Sequence, residues 1–435
     1  MKKYLIAIAI TILTSLYIFP FETAWLPAVN TKLALATFAP ILLIMQGAKM
    51  RNARIDSSLF LLSVVSLFVS FFGIISVVIN NTHDYTYASY FVKMWVWLGG
   101  AYMVIKAIEL AYGKVNVRLV GNFLIAVAVA QCLLSQIINS NEAFSNFVDS
   151  FMVSTGFMGK HESRLYGIGC ALDVAGIKFC AILIITAFFC ATPISKEKPI
   201  IERGIYMLAF FIVGVLGSMV SRTTSIGIIL GILLWLFLLI KNNNNSKEYS
   251  NVVDTFKTLG IFIILLLPII IYLYNTDPTF YANLRFGFEG FFSLVDKGSW
   301  DVRSNEQMLS MVIWPDNFQT WIIGDGYFEN PMSDYYYIGP AYHYYMGTDV
   351  GYCRLIFYFG LLGLIAFSCV FIASTIFCTK NNPKYTIVFW FILIMNFIVW
   401  VKVSSDLFSV FALFLFVQEK NECYNSSNGV VEQSM

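Results

Sequence analysis

The chain has 435 residues, of which 58% are hydrophobic and 12% are charged, and its mean hydropathy is +0.72. A soluble globular protein of this size needs a larger share of charged side chains at its surface, so the composition excludes that class and indicates a polytopic membrane protein. The net charge of +2 indicates no particular class of partner.

Apolar segments long enough to cross about 30 Å of hydrocarbon recur along the whole chain, which favours helices over a barrel. We predict an all-α membrane protein with about twelve transmembrane helices. Their predicted ranges are 4–20, 33–47, 58–80, 88–110, 119–138, 172–192, 205–220, 224–240, 258–274, 352–378, 385–401 and 404–418. The first segment lacks a small-residue cleavage site after it, so we expect it to be retained as a helix.

Basic side chains fall in every second connection between these segments. The short connections that alternate with these basic ones contain almost no basic residues. The positive-inside rule places such basic connections in the cytoplasm, so we expect both termini to be cytoplasmic. The basic residues concerned are Lys49, Arg51, Arg54, Lys114, Arg118, Lys196, Lys198, Arg203, Lys241, Lys247, Lys257, Lys380, Lys384 and Lys420.

Two connections on the predicted outer side are long. The second is too rich in aromatic residues to be disordered, so we expect it to fold as a lid or a small subdomain. The predicted organisation has membrane helices 1–9 over residues 1–274, with an outer loop at 139–171. A large outer loop follows over 275–351, then helices 10–12 over 352–418 and a cytoplasmic tail over 419–435.

Aromatic and acidic side chains are mixed in the large loop, most densely in the stretch YYYIGPAYHYY at 335–345. Sugars present apolar CH faces that stack on rings and hydroxyls that bond to acids, which favours a glycan site. A belt of tyrosine and tryptophan at the lipid headgroups is the alternative interpretation. His343, a candidate substrate-binding residue in this stretch, stands without a metal-ligand pattern, so we predict neither a metal nor another cofactor.

Several arginines also lie on the predicted outer side of the membrane, where the positive-inside rule disfavours basic residues. A planar guanidinium is the preferred bidentate partner of a phosphate, so as a set they indicate a phosphate site. A structural salt bridge is the alternative for each of them alone. The arginines are Arg164, Arg222, Arg285, Arg303 and Arg354.

Four segments occur in an order and at spacings similar to those of one family of membrane proteins. They are RLYGIG, with Arg164 and Gly167; SRTTSIGIILG, with Ser221 and Arg222; VRSNEQMLSMVIWPDNFQTWIIGDG, with Arg303, Gly324 and Gly326; and TDVGYCRLIFYFGLLGLI, with Asp349, Tyr352, Gly360 and Gly363. In these segments the chain resembles the O-antigen polymerase and ligase family. Members of that family act on undecaprenyl-diphosphate-linked glycans at the outer face of the bacterial inner membrane.

The resemblance implies a fold, a location and partners. The fold would be glycosyltransferase-C-like, and the protein would span the bacterial inner (cytoplasmic) membrane with its large loop in the periplasm. Its partners would be an undecaprenyl-diphosphate-linked oligosaccharide and membrane lipid, with a chain-length regulator and a flippase as further ones. No nucleic acid is expected.

The position of Asp349 separates two activities within the family. The ligase branch has a histidine there, in a His-Asn-x-Tyr-like segment, whereas this chain has aspartate and carries His343 six residues earlier. The resemblance therefore favours a metal-independent glycosyltransferase that polymerises the O-antigen of lipopolysaccharide over a ligase that transfers glycan to lipid A core. A capsule or exopolysaccharide polymerase would look the same. The alternative from another class is a transporter, above all a flippase for the same lipid-linked sugars.

For such a reaction we predict the following roles, of which that of Asp349 follows from the resemblance. Arg164, Arg222 and Arg303 would contact the diphosphate. Asp349 is the first candidate for the catalytic base and Glu306 the second. Capping of the helix that begins near residue 351 is the alternative role of Asp349. Further predicted substrate-binding residues are Arg354, His343 and Tyr352.

Overall fold

A computed structural model describes residues 2–47, 57–153, 164–195, 197–244, 246–331 and 344–419. These residues form seventeen α-helices and one antiparallel hairpin, β1 (Glu22–Thr23) with β2 (Leu26–Asn30). The helices are α1 (Lys2–Ile18), α2 (Thr31–Gly47), α3 (Ser57–Ile79), α4 (Tyr90–Tyr112), α5 (Val117–Ser140), α6 (Glu142–Phe151), α7 (Leu172–Ala191), α8 (Pro199–Val220), α9 (Thr224–Lys241), α10 (Ser246–Thr276), α11 (Pro278–Gly287), α12 (Glu289–Lys297), α13 (Arg303–Ser310), α14 (Phe318–Ile323), α15 (Gly351–Asn381), α16 (Thr386–Val399) and α17 (Phe408–Leu415). Short 3-10 turns occupy Tyr345–Gly347 and Pro383–Tyr385.

Eight of the described helices are long and apolar enough to cross a membrane, namely α3, α4, α5, α7, α8, α9, α10 and α15. The prediction of an all-α, multi-pass membrane protein is thereby confirmed. The other four predicted segments are also helical, but α1 and α2 have 17 residues, α16 has 14 and α17 has 8. A span needs about 20 residues, so the count of twelve spans stays a prediction.

Two of the predicted helices begin at least six residues earlier in the structure than the sequence indicates. Helix α8 begins at Pro199 instead of 205, and α10 begins at Ser246 instead of 258. The predicted starts followed the apolar runs, whereas the added turns of α10 contain Lys247 and Glu248. Lysine and glutamate favour helix as much as many apolar residues do, so these helices continue beyond their hydrophobic stretches.

The chain divides into two compact units. The first contains the described residues within 1–34, 104–300 and 390–395, and the second contains those within 35–103, 301–389 and 396–435. The loop predicted over 275–351 is shared between the units, because its residues up to 300 belong to the first and its residues from 301 belong to the second.

Helix α7 forms the core of the first unit. Its residues from 175 to 191 are all buried, and it packs against α8 and α9. A Cβ atom at Gly227 would lie 2.5 Å from the Cα of Cys180, so glycine allows α9 to approach α7 this closely. The buried Lys178 donates to the carbonyl oxygen of Ile18 at 2.5 Å, so its ammonium group binds the C-terminal end of α1.

Helix α15 is central to the second unit, where it packs against α3, α14 and α17. Its helical geometry is interrupted at Phe359 and Gly360. Two carbonyl groups freed by the interruption accept hydrogen bonds from the turn that follows α14. The amide of Asp325 donates to the Phe357 oxygen at 2.6 Å, and that of Gly326 donates to the Tyr358 oxygen at 3.1 Å.

The end of α3 completes this arrangement. The Ser76 hydroxyl donates to the Tyr358 carbonyl at 2.7 Å, the Asn80 side chain to the Gly324 carbonyl at 2.9 Å and the Thr82 hydroxyl to the Gly326 carbonyl at 2.9 Å. We call this set of contacts between the turn 324–326, the interruption of α15 and residues 76–82 the α15 junction. The polar backbone at the junction is thus paired by hydrogen bonds within the protein.

Candidate functional site

The hairpin between α8 and α9 holds Arg222 at a fixed position. The hydroxyls of Ser221 and Thr223, on either side of it, both donate to Oδ1 of Asp173, at 2.8 and 2.5 Å. Asp173 lies in the first turn of α7, where a Cβ atom on Gly176 would lie 2.6 Å from the Ser221 Oγ. The small residue and the carboxylate therefore anchor the hairpin against α7.

Arg222 makes three kinds of contact with the segment that follows α10. Its Nε donates to the carbonyl oxygen of Phe286 at 3.0 Å, and its Nη2 lies 2.6 Å from Oε2 of Glu289. Its guanidinium carbon lies 4.2 Å from the centre of the Phe286 ring. The side chain of Arg222 is 19% exposed, so the guanidinium is oriented by packing but remains accessible.

Arg164 contacts the same ring from a different segment. Its guanidinium carbon lies 4.6 Å from the centre of the Phe286 ring, and the next residue, Leu165, donates its amide to the Met219 carbonyl at 3.2 Å. The structure thus brings together Arg164 and Arg222, two of the predicted site residues that are 58 positions apart. We call Arg164, Arg222, Phe286 and Glu289 the arginine cluster.

The charges of the arginine cluster favour an anion. It contains two guanidiniums and one carboxylate, and Arg164 has no ion pair among the residues that the structure describes. Both guanidiniums lie against the ring of Phe286, which gives each of them a cation–π contact. Guanidiniums are strong hydrogen-bond donors to phosphate oxygens, so a cluster with this charge balance suits a phosphate group.

Arg354, in the second unit, has a different environment. Its side chain is 7% exposed; Nη2 lies 2.7 Å from Oε1 of Glu329 and Nη1 lies 3.6 Å from Oδ1 of Asp349. Its guanidinium carbon also lies 3.7 Å and 4.3 Å from the ring centres of Phe328 and Tyr344. Two carboxylates share one guanidinium here, so this Arg354 cluster is negative overall and suits a diphosphate less well than the arginine cluster.

The first candidate base, Asp349, is therefore engaged by Arg354, and its side chain is 34% exposed. The N-cap position of α15 is occupied by Val350, which has no side-chain capping hydrogen bond. The structure thus places Val350 at the N-cap position and Asp349 immediately before it, and a capping role of Asp349 stays a prediction. His343 lies outside the described residues.

Arg303 and Glu306 lie in the second unit, in the first turn of α13. Both side chains are exposed, and three positions separate them, so they share one face of the helix. Arg303 therefore lies in a different unit from the four residues of the arginine cluster.

Tyr352 connects α15 with the end of α16. Its hydroxyl donates to the Phe397 carbonyl at 3.0 Å, and its amide donates to the Trp400 carbonyl at 2.9 Å. Its ring lies edge-on to the Trp400 ring at 5.9 Å. These contacts give Tyr352 a packing role, and its assignment to substrate binding stays a prediction.

Phe286 and Glu289 were not among the predicted site residues. Both come from the segment FGFEGFF at 286–292, where α11 ends and α12 begins. The large loop contains many aromatic and acidic residues, and no sequence spacing distinguishes Phe286 and Glu289 from the others. Their place in the site depends on tertiary packing against the hairpin between α8 and α9.

Comparisons of the chain with protein-family models, with curated proteins and with solved structures find no match.

Proposed function

We propose that this protein polymerises undecaprenyl-diphosphate-linked oligosaccharide repeat units into O-antigen polysaccharide at the periplasmic face of the bacterial inner membrane. The observation that carries the proposal is the arginine cluster. Arg164 and Arg222, which the family resemblance takes from separate segments, lie against the same ring of Phe286. Two guanidiniums that contact the same ring suit the two phosphates of a lipid diphosphate.

The proposed reaction transfers a growing glycan from one carrier lipid to the end of another lipid-linked repeat unit. Undecaprenyl diphosphate is already a good leaving group, so the protein mainly has to position two amphipathic substrates and neutralise the charge that develops on the leaving diphosphate. Arg164 and Arg222 supply that neutralisation in this proposal. A carboxylate takes the proton of the acceptor hydroxyl, and the sequence nominates Asp349 and Glu306 for that role.

Polymerisation is preferred over ligation because aspartate stands at position 349, where the ligase branch has histidine. A flippase for the same lipid-linked sugars is the second candidate. One observation favours it, since carriers often contain discontinuous membrane helices and α15 is interrupted at Gly360. The two large loops and the arginine cluster favour the polymerase. A carrier only moves its substrate across the membrane, so it needs no folded loop for bond formation.

The test of this proposal is a gel of surface polysaccharide from a strain that lacks the gene, with the lipid-linked pool extracted alongside. We expect lipid A core that carries a single repeat unit, because units still reach the periplasm and are still ligated but are not joined to each other. Restoring the gene on a plasmid should restore long chains and is the control for effects on neighbouring genes.

Two other patterns would overturn the proposal. Bare core with finished polymer retained on the carrier lipid would identify a ligase. Bare core with only single units on the carrier, located on the cytoplasmic side, would identify a flippase.

A further inference from the structure

A carboxylate that the sequence did not nominate lies at the α15 junction. The hydroxyl of Thr320 donates to Oδ1 of Asp325, and the hydroxyl of Tyr345 donates to Oδ2 at 3.1 Å. The side chain is partly buried. Each carboxylate oxygen therefore has one described hydroxyl donor, and each keeps capacity to accept a further hydrogen bond.

The backbone holds this carboxylate in place. Asp325 stands between Gly324 and Gly326, which have φ angles of +75° and +76°. Its own amide donates to the Phe357 carbonyl at 2.6 Å, and the carbonyl of Gly324 accepts from Asn80 at 2.9 Å. A reactive group needs such support, because a small displacement costs much of the rate.

Aromatic rings lie directly beside the carboxylate. The ring of Tyr345, whose hydroxyl binds Asp325, stacks on the ring of Tyr327 with centroids 5.2 Å apart and an angle of 27°. The ring of Phe357 lies edge-on to Tyr345 at 5.7 Å. A carboxylate beside stacked rings suits a sugar. The apolar CH groups of the sugar contact the rings, and one of its hydroxyls hydrogen-bonds to the carboxylate.

Burial raises the pKa of Asp325 above its ordinary value, and the exposed Asp316 raises it further. The two hydroxyl donors, Thr320 and Tyr345, act in the opposite direction. Partial burial thus makes the carboxylate more basic than that of a solvated aspartate. Asp349, in contrast, forms an ion pair with Arg354, whose Nη1 lies 3.6 Å from its Oδ1.

We infer that Asp325 is the catalytic base that accepts the proton of the acceptor sugar's hydroxyl, with Tyr327 and Tyr345 as the surface on which that sugar stacks. This inference rests on the proposed glycosyl transfer. The acceptor oxygen forms a bond to the anomeric carbon of the donor while its proton passes to Asp325. The bond from that carbon to the diphosphate oxygen breaks, and the leaving diphosphate takes the bonding electron pair. Asp325 then gives the proton to water.

The experiment uses the purified full chain in liposomes with lipid-linked repeat units extracted from the deletion strain, and it measures polymer formation against pH. We expect Asp325→Asn to slow chain extension by about 100-fold or more, the usual range for loss of a general base. Wild-type activity that persists in Asp325→Asn would overturn the inference. Loss of polymer formation in Asp349→Asn together with retained polymer formation in Asp325→Asn would also overturn it.

Two further variants keep the inference testable if Asp325→Asn does not fold. Tyr345→Phe removes a donor that stabilises the charged carboxylate, so the pKa of Asp325 rises and the acidic limb of the pH profile moves to higher pH. Asp316→Asn removes a nearby negative charge, so that pKa falls and the acidic limb moves slightly to lower pH. A purely structural role of Asp325 predicts no such opposite shifts, and unshifted profiles in both variants would overturn the inference.

Failure of this inference is distinguishable from failure of the proposed function. If the wild-type chain forms polymer and Asp325→Asn forms polymer equally well, the base assignment alone is wrong. If the wild-type chain forms no polymer from the lipid-linked units, the proposed function is wrong, and the base assignment is overturned with it.

Discussion

Alanine at Arg164 or Arg222 is expected to stop extension beyond a single repeat unit while the protein reaches normal levels in the membrane. Each substitution removes a guanidinium from the arginine cluster and leaves one cation opposite Glu289. Preorganised donors that stabilise developing charge contribute on the order of 100-fold or more in rate, so long chains should disappear from the gel. The measurement is surface polysaccharide from the deletion strain that carries each variant, with membrane protein levels by immunoblot.

Two comparisons sharpen this prediction. Arg222→Lys keeps the charge but loses the planar group that reaches both the Phe286 carbonyl and Glu289, so it should restore only part of the polymer. Lys257→Ala removes a positive charge whose side chain is 70% exposed elsewhere in the first unit, and it should leave long chains intact. Wild-type polymer from Arg164→Ala, Arg222→Ala and Arg303→Ala alike would rule out a role of these arginines in binding the diphosphate.

Alanine at Gly360 is expected to prevent the second unit from folding properly. Gly360 has a φ of +65°, and a Cβ atom there would lie 2.2 Å from the carbonyl carbon of Ile322. With its ψ of −170° this is a conformation that essentially only glycine adopts, so alanine costs about 1–3 kcal/mol there, and the overlap with the backbone of α14 adds to that cost. We expect low yield, aggregation on size-exclusion chromatography and a clearly lower unfolding temperature in detergent.

Gly113→Ala is the matched control for that variant. Gly113 has a φ of +77°, but no atom lies within 4 Å of the position a Cβ would take. The Gly113→Ala variant therefore has the cost of a positive φ but no overlap between the added Cβ and other atoms. We expect it to lower the unfolding temperature only slightly. Equal unfolding temperatures for the two variants would show that α14 can move away from Gly360 at little cost.

The membrane helices could be predicted from the sequence because their signal is local. Helix α7, for example, was expected over 172–192 and runs over Leu172–Ala191. The helices of the large loop, α11 to α14, have between 6 and 10 residues each and were not predicted. Helices this short are marginal alone and depend on tertiary packing, which a hydropathy pattern does not report.

The candidate site was predictable only in part for the same reason. Arg164 and Arg222 were nominated by motifs, and the structure brings them to one ring. The ring itself, Phe286, belongs to a loop with many similar rings, so only packing identifies it. The carboxylate of Asp325 was not among the predicted site residues, and its contact with Tyr345 joins positions that no short motif links.

The interruption of α15 also has a consequence for biogenesis. The ribosome produces a chain from its N-terminus, so Ser76 and the turn 324–326 are made before α15 emerges. The Phe357 and Tyr358 carbonyls therefore meet donors that already exist. An unpaired carbonyl in hydrocarbon costs several kcal/mol, so α15 gains stability when it docks on those earlier segments. We expect the upstream chain to act as the template for the late insertion of α15, which makes the order of synthesis part of how this fold is reached.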